Sequence, residues 1–328
     1  MKEPTYKQAL SHGYSIMKNH KLLWIFGFFS VFLGQMGLLD IFVKMIVSGE
    51  RSVAYPLFFD VGNTLSFFLK SLTALDFSAS QWFWLAWLAI LFVSSLVLLV
   101  FISISSQGAL VDGIAQSVTT RKKKAIDVSR AWGVGVSHFW KMLIIHACKK
   151  GLLLVLGTIL GFSFYSILTT TSGSLEFLHI ILFILTAFVG SVISMLAIYS
   201  VGYVVVEEYS VVDALHASWD LLKEHWLVSL EVAAIVLLLN IFCLFIGAAV
   251  TVLFFAQMTI MFGALTVLGA GSMWALMSAF GIILFSLVLV WLGTILNVFV
   301  TSVWTYLFME MHKKGIKSRI LHFVRKRR

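Results

Sequence analysis

This chain reads as an all-α polytopic membrane protein that crosses the bilayer six times, with both termini in the cytoplasm. Three features point there. Hydrophobic residues make up 60% of its 328 positions and charged residues only 12%, with a mean hydropathy of +0.98; that is too little charge to cover a soluble globule of this size. The apolar residues gather in long runs. Basic residues crowd the connections between alternate runs. Backbone groups cannot stay unpaired in hydrocarbon, so runs of about 20 residues must be helices, because membrane strands are shorter and alternate.

Six runs satisfy this length, near 21–43, 82–106, 142–170, 177–205, 227–256 and 276–308. The first is longer than a secretory signal core and lacks a small-residue cleavage site before Asp40, so it is a retained span. The two prolines, Pro4 and Pro56, lie outside every run and kink none. Lys and Arg stay on the cytoplasmic side of short loops. With both termini inside, only Lys44, Arg51 and Lys70 of the 24 basic residues face outward. The acidic stretch with Glu207, Glu208, Asp213, Asp220 and Glu224 then also faces the cytoplasm, which the even number of spans requires.

A pattern recurs three times: an aromatic, five residues, a histidine and a long apolar run. The copies are Tyr14/His20, Trp132/His138 and Trp219/His225. They define three repeated units, about 1–120, 121–206 and 207–312, followed by a basic tail, 313–328, within one membrane domain. Each unit begins with an amphipathic helix at the headgroup boundary and continues as a helical hairpin. In the third copy Val212, Leu215, Trp219, Leu222 and Trp226 share one helical face, opposite Asp213, His216, Asp220, Lys223 and Glu224. The second copy places Ala125, Val128, Trp132, Gly135 and Phe139 on that apolar face, and the first Lys7, Leu10, Tyr14, Met17 and Lys21.

The outer connections differ. The first, 47–81, is long and aromatic, with Phe58, Phe59, Phe67 and Phe68; the second is a tight turn at Thr171-Ser172-Gly173-Ser174. The third, Gln257 to Ala275, is uncharged and carries Gly263, Gly269 and Gly271, a pattern that suits a re-entrant or surface-lying segment.

Few polar groups interrupt the runs. Lys149 and Lys150 align with Val236 and Leu237 of the third unit, which sets two ammonium groups inside the bilayer, where a charge needs a partner. Alternatively the helix begins in the cytoplasm, since 151–170 spans alone, and the lysines snorkel to phosphates. Gln35, Asn240 and Asn297 lie deep in the runs. Asn240 and Asn297 occupy two spans of one hairpin, where a mutual hydrogen bond satisfies both; a polar lining for a solute is the other reading. Gly157 and Gly161 form a GxxxG that suits close helix packing within the chain. His20, His138 and His225 lack the spacing of a metal motif. Cys148 and Cys243 lie in or beside spans, with no CxxC and no disulfide framework. No cofactor is implied.

The net charge of +9 sits beside apolar runs, so the expected partners are anionic membrane lipids at the basic cytoplasmic face, including Arg121–Lys124 and the tail, and not nucleic acid. A protein partner or a second copy is the further possibility for the amphipathic helices. No nucleophile elbow, phosphate-binding loop or dinucleotide fingerprint occurs.

Residues 204–227, VVVEEYSVVDALHASWDLLKEHWL, resemble a group of poorly characterised bacterial six-helix membrane proteins that includes the membrane domain preceding some glycerophosphodiester phosphodiesterases. Glu207 or Glu208, Ala214-Leu215, Ser218-Trp219 and Lys223 fill the family's recurring positions. The opening ALSHGYSIMKNHKLLWIFG is similar to the same families' start. The resemblance implies the six-helix fold and a link to membrane lipids or transport; no phosphodiesterase domain is expected before Arg328, and no catalytic position carries over. The expected function is therefore non-enzymatic: a lipid-associated component of membrane or envelope homeostasis in a prokaryotic cytoplasmic membrane, acting through helix packing and lipid or partner binding. A transporter or permease-like protein for a small solute or lipid, lined by Asn240, Asn297, Lys149 and Lys150, is the alternative, and a membrane-embedded enzyme the third.

Overall fold

The computed structural model describes residues 5–33, 79–119, 126–169, 173–269 and 273–314. Outside them lie Gln35, the first span beyond Leu33, Lys44, Arg51, Lys70, the first outer loop with its four phenylalanines up to residue 78, Arg121–Lys124, Ala125, Thr171, Ser172, Gly271 and the tail from residue 315. The described residues form nine helices and no strand: α1 (Thr5–Asn19), α2 (Leu23–Val31), α3 (Ala79–Thr119), α4 (Val128–Ser137), α5 (Phe139–Thr169), α6 (Gly173–Val206), α7 (Val211–Glu224), α8 (Trp226–Val267) and α9 (Trp274–Lys314).

Five of them, α3, α5, α6, α8 and α9, are long and apolar enough to cross a membrane, as in a multi-pass membrane protein. Several exceed the span lengths read from hydropathy. α3 continues from 106 to Thr119, and α8 stays helical to Val267 through Gly263. The segment 257–267 is thus neither re-entrant nor a loop, because one glycine inside an apolar run costs a helix only about 1 kcal/mol. The helix stops at Gly269, whose φ of +67° suits a residue without a Cβ.

Burial is uneven along every long helix. α3 is exposed or nearly so from Trp82 to Val100 and buried without interruption from Ser103 to Ala115. Those first 19 residues, 82–100, extend about 28 Å, close to the roughly 30 Å of a bilayer's hydrocarbon. α5 buries Met142, Ile145 and His146 and no described residue beyond them; α6 buries none before Met195, α8 none after Gly247 and α9 none before Gly293. In each case the buried end is the one that adjoins a short helix or packs on one. The other end exposes Phe, Leu and Ile in long runs, whereas the buried Ser, Thr and Asn of the long helices lie at the packed ends; so large an apolar surface is the pattern expected where lipid is the solvent.

The chain forms two compact units. The first comprises Met1–Asp40, Ser103–Ser137 and Leu221–Arg328. Its core joins Ile16, Leu23, Phe26, Ala109, Leu110, Ile114, Ala131 and Val298, with Met17, Trp24 and Trp132 packed against them. Trp24 Nε1 donates to Met17 O at 2.9 Å and holds the α1–α2 corner. Farther along, α8 and α9 meet through stacked Phe254 and Phe285, with ring centroids 4.4 Å apart. The second unit comprises Ile41–Ile102 and His138–Asp220. There α5 packs on α6, with Ser163 Oγ 3.1 Å from His179 Nδ1 and Leu153 against Gly190. A Cβ placed on Gly157 would meet no atom within 4 Å, so the expected tight contact of the GxxxG is not made at that position.

Candidate functional site

The three short helices α1, α4 and α7 each end at the histidine of the recurring pattern, and His20, His138 and His225 stand in the break before the next helix. The residue seven positions before each histidine is small and buried: Gly13, Ala131 and Ser218. It is the contact point, or one turn from it. A Cβ on Gly13 would lie 2.8 Å from Val303 Cγ2 and 3.4 Å from Phe299 O of α9. Gly135, one turn after Ala131, lies so close to α3 that a Cβ would strike Ser105 O and come within 2.8 Å of Ala109 N. Ser218 Oγ donates to Ala214 O at 2.6 Å and accepts from Ser200 Oγ of α6 at 3.0 Å.

The neighbouring aromatics lie on the exposed side of α1 and α7. Tyr14 is 55% exposed and Trp219 44%, and Val212, Leu215 and Trp226 are exposed with them. The packed face of α7 is Ala214, Ser218, Leu221 and His225, with Leu222 of the apolar face buried beside them, and that of α1 is Ala9, Gly13 and Ile16, while Lys7 and Lys21 are exposed. In a membrane boundary, bulky apolar groups gain nothing by leaving lipid, and small residues let backbones approach; the largest side chains therefore turn outward. Only in α4 does the aromatic turn partly inward, Trp132 stacking on Phe26 at 6.2 Å.

Local polar groups hold these helices in place. Asp127 Oδ1 accepts from Arg130 N at 3.0 Å and caps α4. Ser210 Oγ accepts from Asp213 N at 3.3 Å, which caps α7, and donates to Asp213 Oδ2 at 2.6 Å. Glu207 is half-buried and Glu208 exposed; Glu208 takes a left-handed φ of 59° as the chain leaves α6. Lys141 Nζ donates to Tyr209 O at 3.2 Å and, more weakly, to Glu208 O at 3.4 Å, while Tyr203 and Tyr209 stack at 5.3 Å.

The asparagines do not pair as the hairpin suggested. Asn297 Nδ2 donates to Ser30 Oγ at 2.6 Å and to Gly27 O at 3.2 Å, both on α2. Asn240 Nδ2 instead donates to Val236 O of its own helix at 2.9 Å. Both amide hydrogens of Asn297 are thereby committed, because Gly27 lets α2 approach α9 until a Cβ would strike Val298. Lys149 is half-buried and Lys150 exposed on α5. One turn before them His146 is buried, and its Nε2 has no hydrogen-bond partner among the described residues.

Sequence reasoning passed over His146 and a polar run on α3. Ser103, Ser105 and Ser106 Oγ, Gln107 Oε1 and, on α9, Thr301 Oγ1 are buried without a hydrogen-bond partner among the described residues. The visible signal was the run SISSQ inside an apolar segment. Among the described residues no three His, Cys, Asp or Glu side chains gather as a metal site.

Comparison with models of known protein families, with curated proteins and with solved structures finds no match to this chain.

Proposed function

We propose that the chain is a six-span protein of a prokaryotic cytoplasmic membrane, built of three repeated units with both termini inside, that acts without catalysis by binding anionic lipid and a protein partner. The observation that carries this reading is the uneven burial: hydrocarbon-length helix ends offer apolar surface to lipid, while three short helices clasp the other ends. Their outward aromatics lie beside exposed lysines, Tyr14 with Lys18 and Lys21, a combination that favours an anionic headgroup layer. The resemblance of residues 204–227 to lipid-linked six-helix proteins agrees with it. Native mass spectrometry of the chain extracted with its lipids tests the reading. Retained lipid richer in anionic headgroups than the source membrane supports it, and retained lipid of bulk composition contradicts it.

One observation favours transport of a small solute as the second reading. Ser103, Ser106 and Gln107 share one face of α3 at i, i+3 and i+4, a stripe of buried polar groups. Solute flux into vesicles containing the purified chain, lost on Gln107→Leu, would establish that reading in place of the first.

A further inference from the structure

We infer that Lys149, Lys150 and His146 form a binding site for a phosphate ester, supplied by the headgroup of a membrane lipid. The inference rests on the lipid-binding reading above and names the site and the chemistry.

Positions 146, 149 and 150 stand at i, i+3 and i+4, so the imidazole and both ammonium groups share one face of α5. His146 is only 6% exposed, and its Nε2 meets no hydrogen-bonding atom among the described residues. Among the described residues Lys149 and Lys150 make no ion pair, and the charge that acts on Lys149 is that of Lys150. Two adjacent like charges, one of them half-buried, lack an anion among the described residues. Charged groups on an apolar helix are held where a counter-charge meets them.

The geometry selects a headgroup. Lys149 stands ten residues beyond Phe139, about 15 Å along the helix. Helical side chains tilt toward the N-terminus, so both ammonium groups reach back over the turn that carries His146, on which both charges act. Leu152, at i+3 from Lys149, and Leu154, at i+4 from Lys150, are exposed just beyond the lysines and offer apolar surface for acyl chains. Gly151 leaves open space beside Lys150, with no atom within 4 Å of its Cβ position. A phosphate with acyl chains attached fits both parts, its oxygens accepting from the two lysines and, once the side chains packed over it part, from His146 Nε2. Non-specific snorkelling of lysines to the headgroup layer needs no histidine, which separates the two cases.

The test is native mass spectrometry of the full chain released from nanodiscs of mixed phosphatidylglycerol and phosphatidylethanolamine. One tightly retained phospholipid per chain is expected, with occupancy falling about tenfold or more in Lys149→Gln/Lys150→Gln and in His146→Phe, and kept in Lys149→Arg/Lys150→Arg. Unfolding followed by circular dichroism checks each variant; if His146→Phe does not fold, His146→Gln takes its place. Equal retention by wild type and the double glutamine variant overturns the site. If anionic lipid is still enriched in both, the general lipid-binding reading stands; if it is enriched in neither, both fall. Titration with inorganic phosphate separates the sources. Failure to displace the lipid supports the headgroup, and displacement at millimolar phosphate assigns the site to free phosphate and overturns it.

Discussion

Asn297 on α9 donates to Ser30 Oγ on α2 at 2.6 Å, and this bond links residues 267 positions apart. With the second bond, to Gly27 O, it ties α9 to α2 at a point where both groups are buried. Asn297→Ala removes both bonds and leaves a backbone carbonyl and a hydroxyl with less to bind. A loss of about 1–3 kcal/mol is expected in reversible unfolding from mixed micelles. A double-mutant cycle with Ser30→Ala should show a coupling of about 0.5–2 kcal/mol. Additive effects would mean that the pair does not act together.

Gly135 presses α4 against the backbone of α3, where nothing flexible can yield to a side chain. Gly135→Val is expected to undock α4 at a cost of about 1–3 kcal/mol or more, read as faster proteolysis of the 120–138 connection. Gly151→Ala, in open space, is the control and should leave the digestion rate unchanged or slow it.

Glu208 holds a left-handed φ of 59° without being glycine. Glu208→Gly relieves about 1 kcal/mol of backbone strain, partly offset by the greater freedom of glycine in the unfolded chain. A modest rise in melting temperature is expected. Glu208→Val, β-branched at the same φ, should lower it, and reversal of that order would remove the strain argument.

His12 packs on Tyr306 with ring centroids 4.7 Å apart. Burial holds its basicity below the ordinary value of 6.5; Glu310 opposes this shift and His20 adds to it. The folded state therefore resists a proton that the unfolded state accepts. Stability from this group is complete above 6.5, declines as pH falls below it, and levels off under the folded value. The melting temperature should drop as pH falls below 6.5, and His12→Phe, which keeps the ring contact, should flatten that part of the profile.

How far the sequence carried these conclusions depends on the range of each signal. The helix breaks at His20, His138 and His225 were legible because the aromatic, the histidine and the apolar run are local. The packed faces were not. Tyr14, Trp219 and Val212 form apolar faces by periodicity, but periodicity only separates apolar from polar; in lipid both sides of the choice are apolar, and small residues such as Gly13 and Ser218 decide contact. The Asn297–Ser30 bond joins distant segments, and no local pattern encodes such a pairing. The cap that Ser210 makes on Asp213 N was written in the sequence as a Ser-x-x-Asp before an apolar stretch and was passed over. His146 gave no sign beside the two lysines, because its burial depends on packing that hydropathy does not record.

The account rests on long helices that are packed at one end and bare to lipid at the other, and spin labels along α3 in bilayers measure this directly. Labels at Leu88, Phe92 and Leu96 should relax strongly with oxygen, which partitions into lipid, and weakly with a water-soluble nickel chelate. Labels at Ala109 and Ala115 should respond weakly to both. High nickel accessibility at Leu88–Leu96, or oxygen accessibility at Ala109 and Ala115 equal to that at Phe92, would contradict the account.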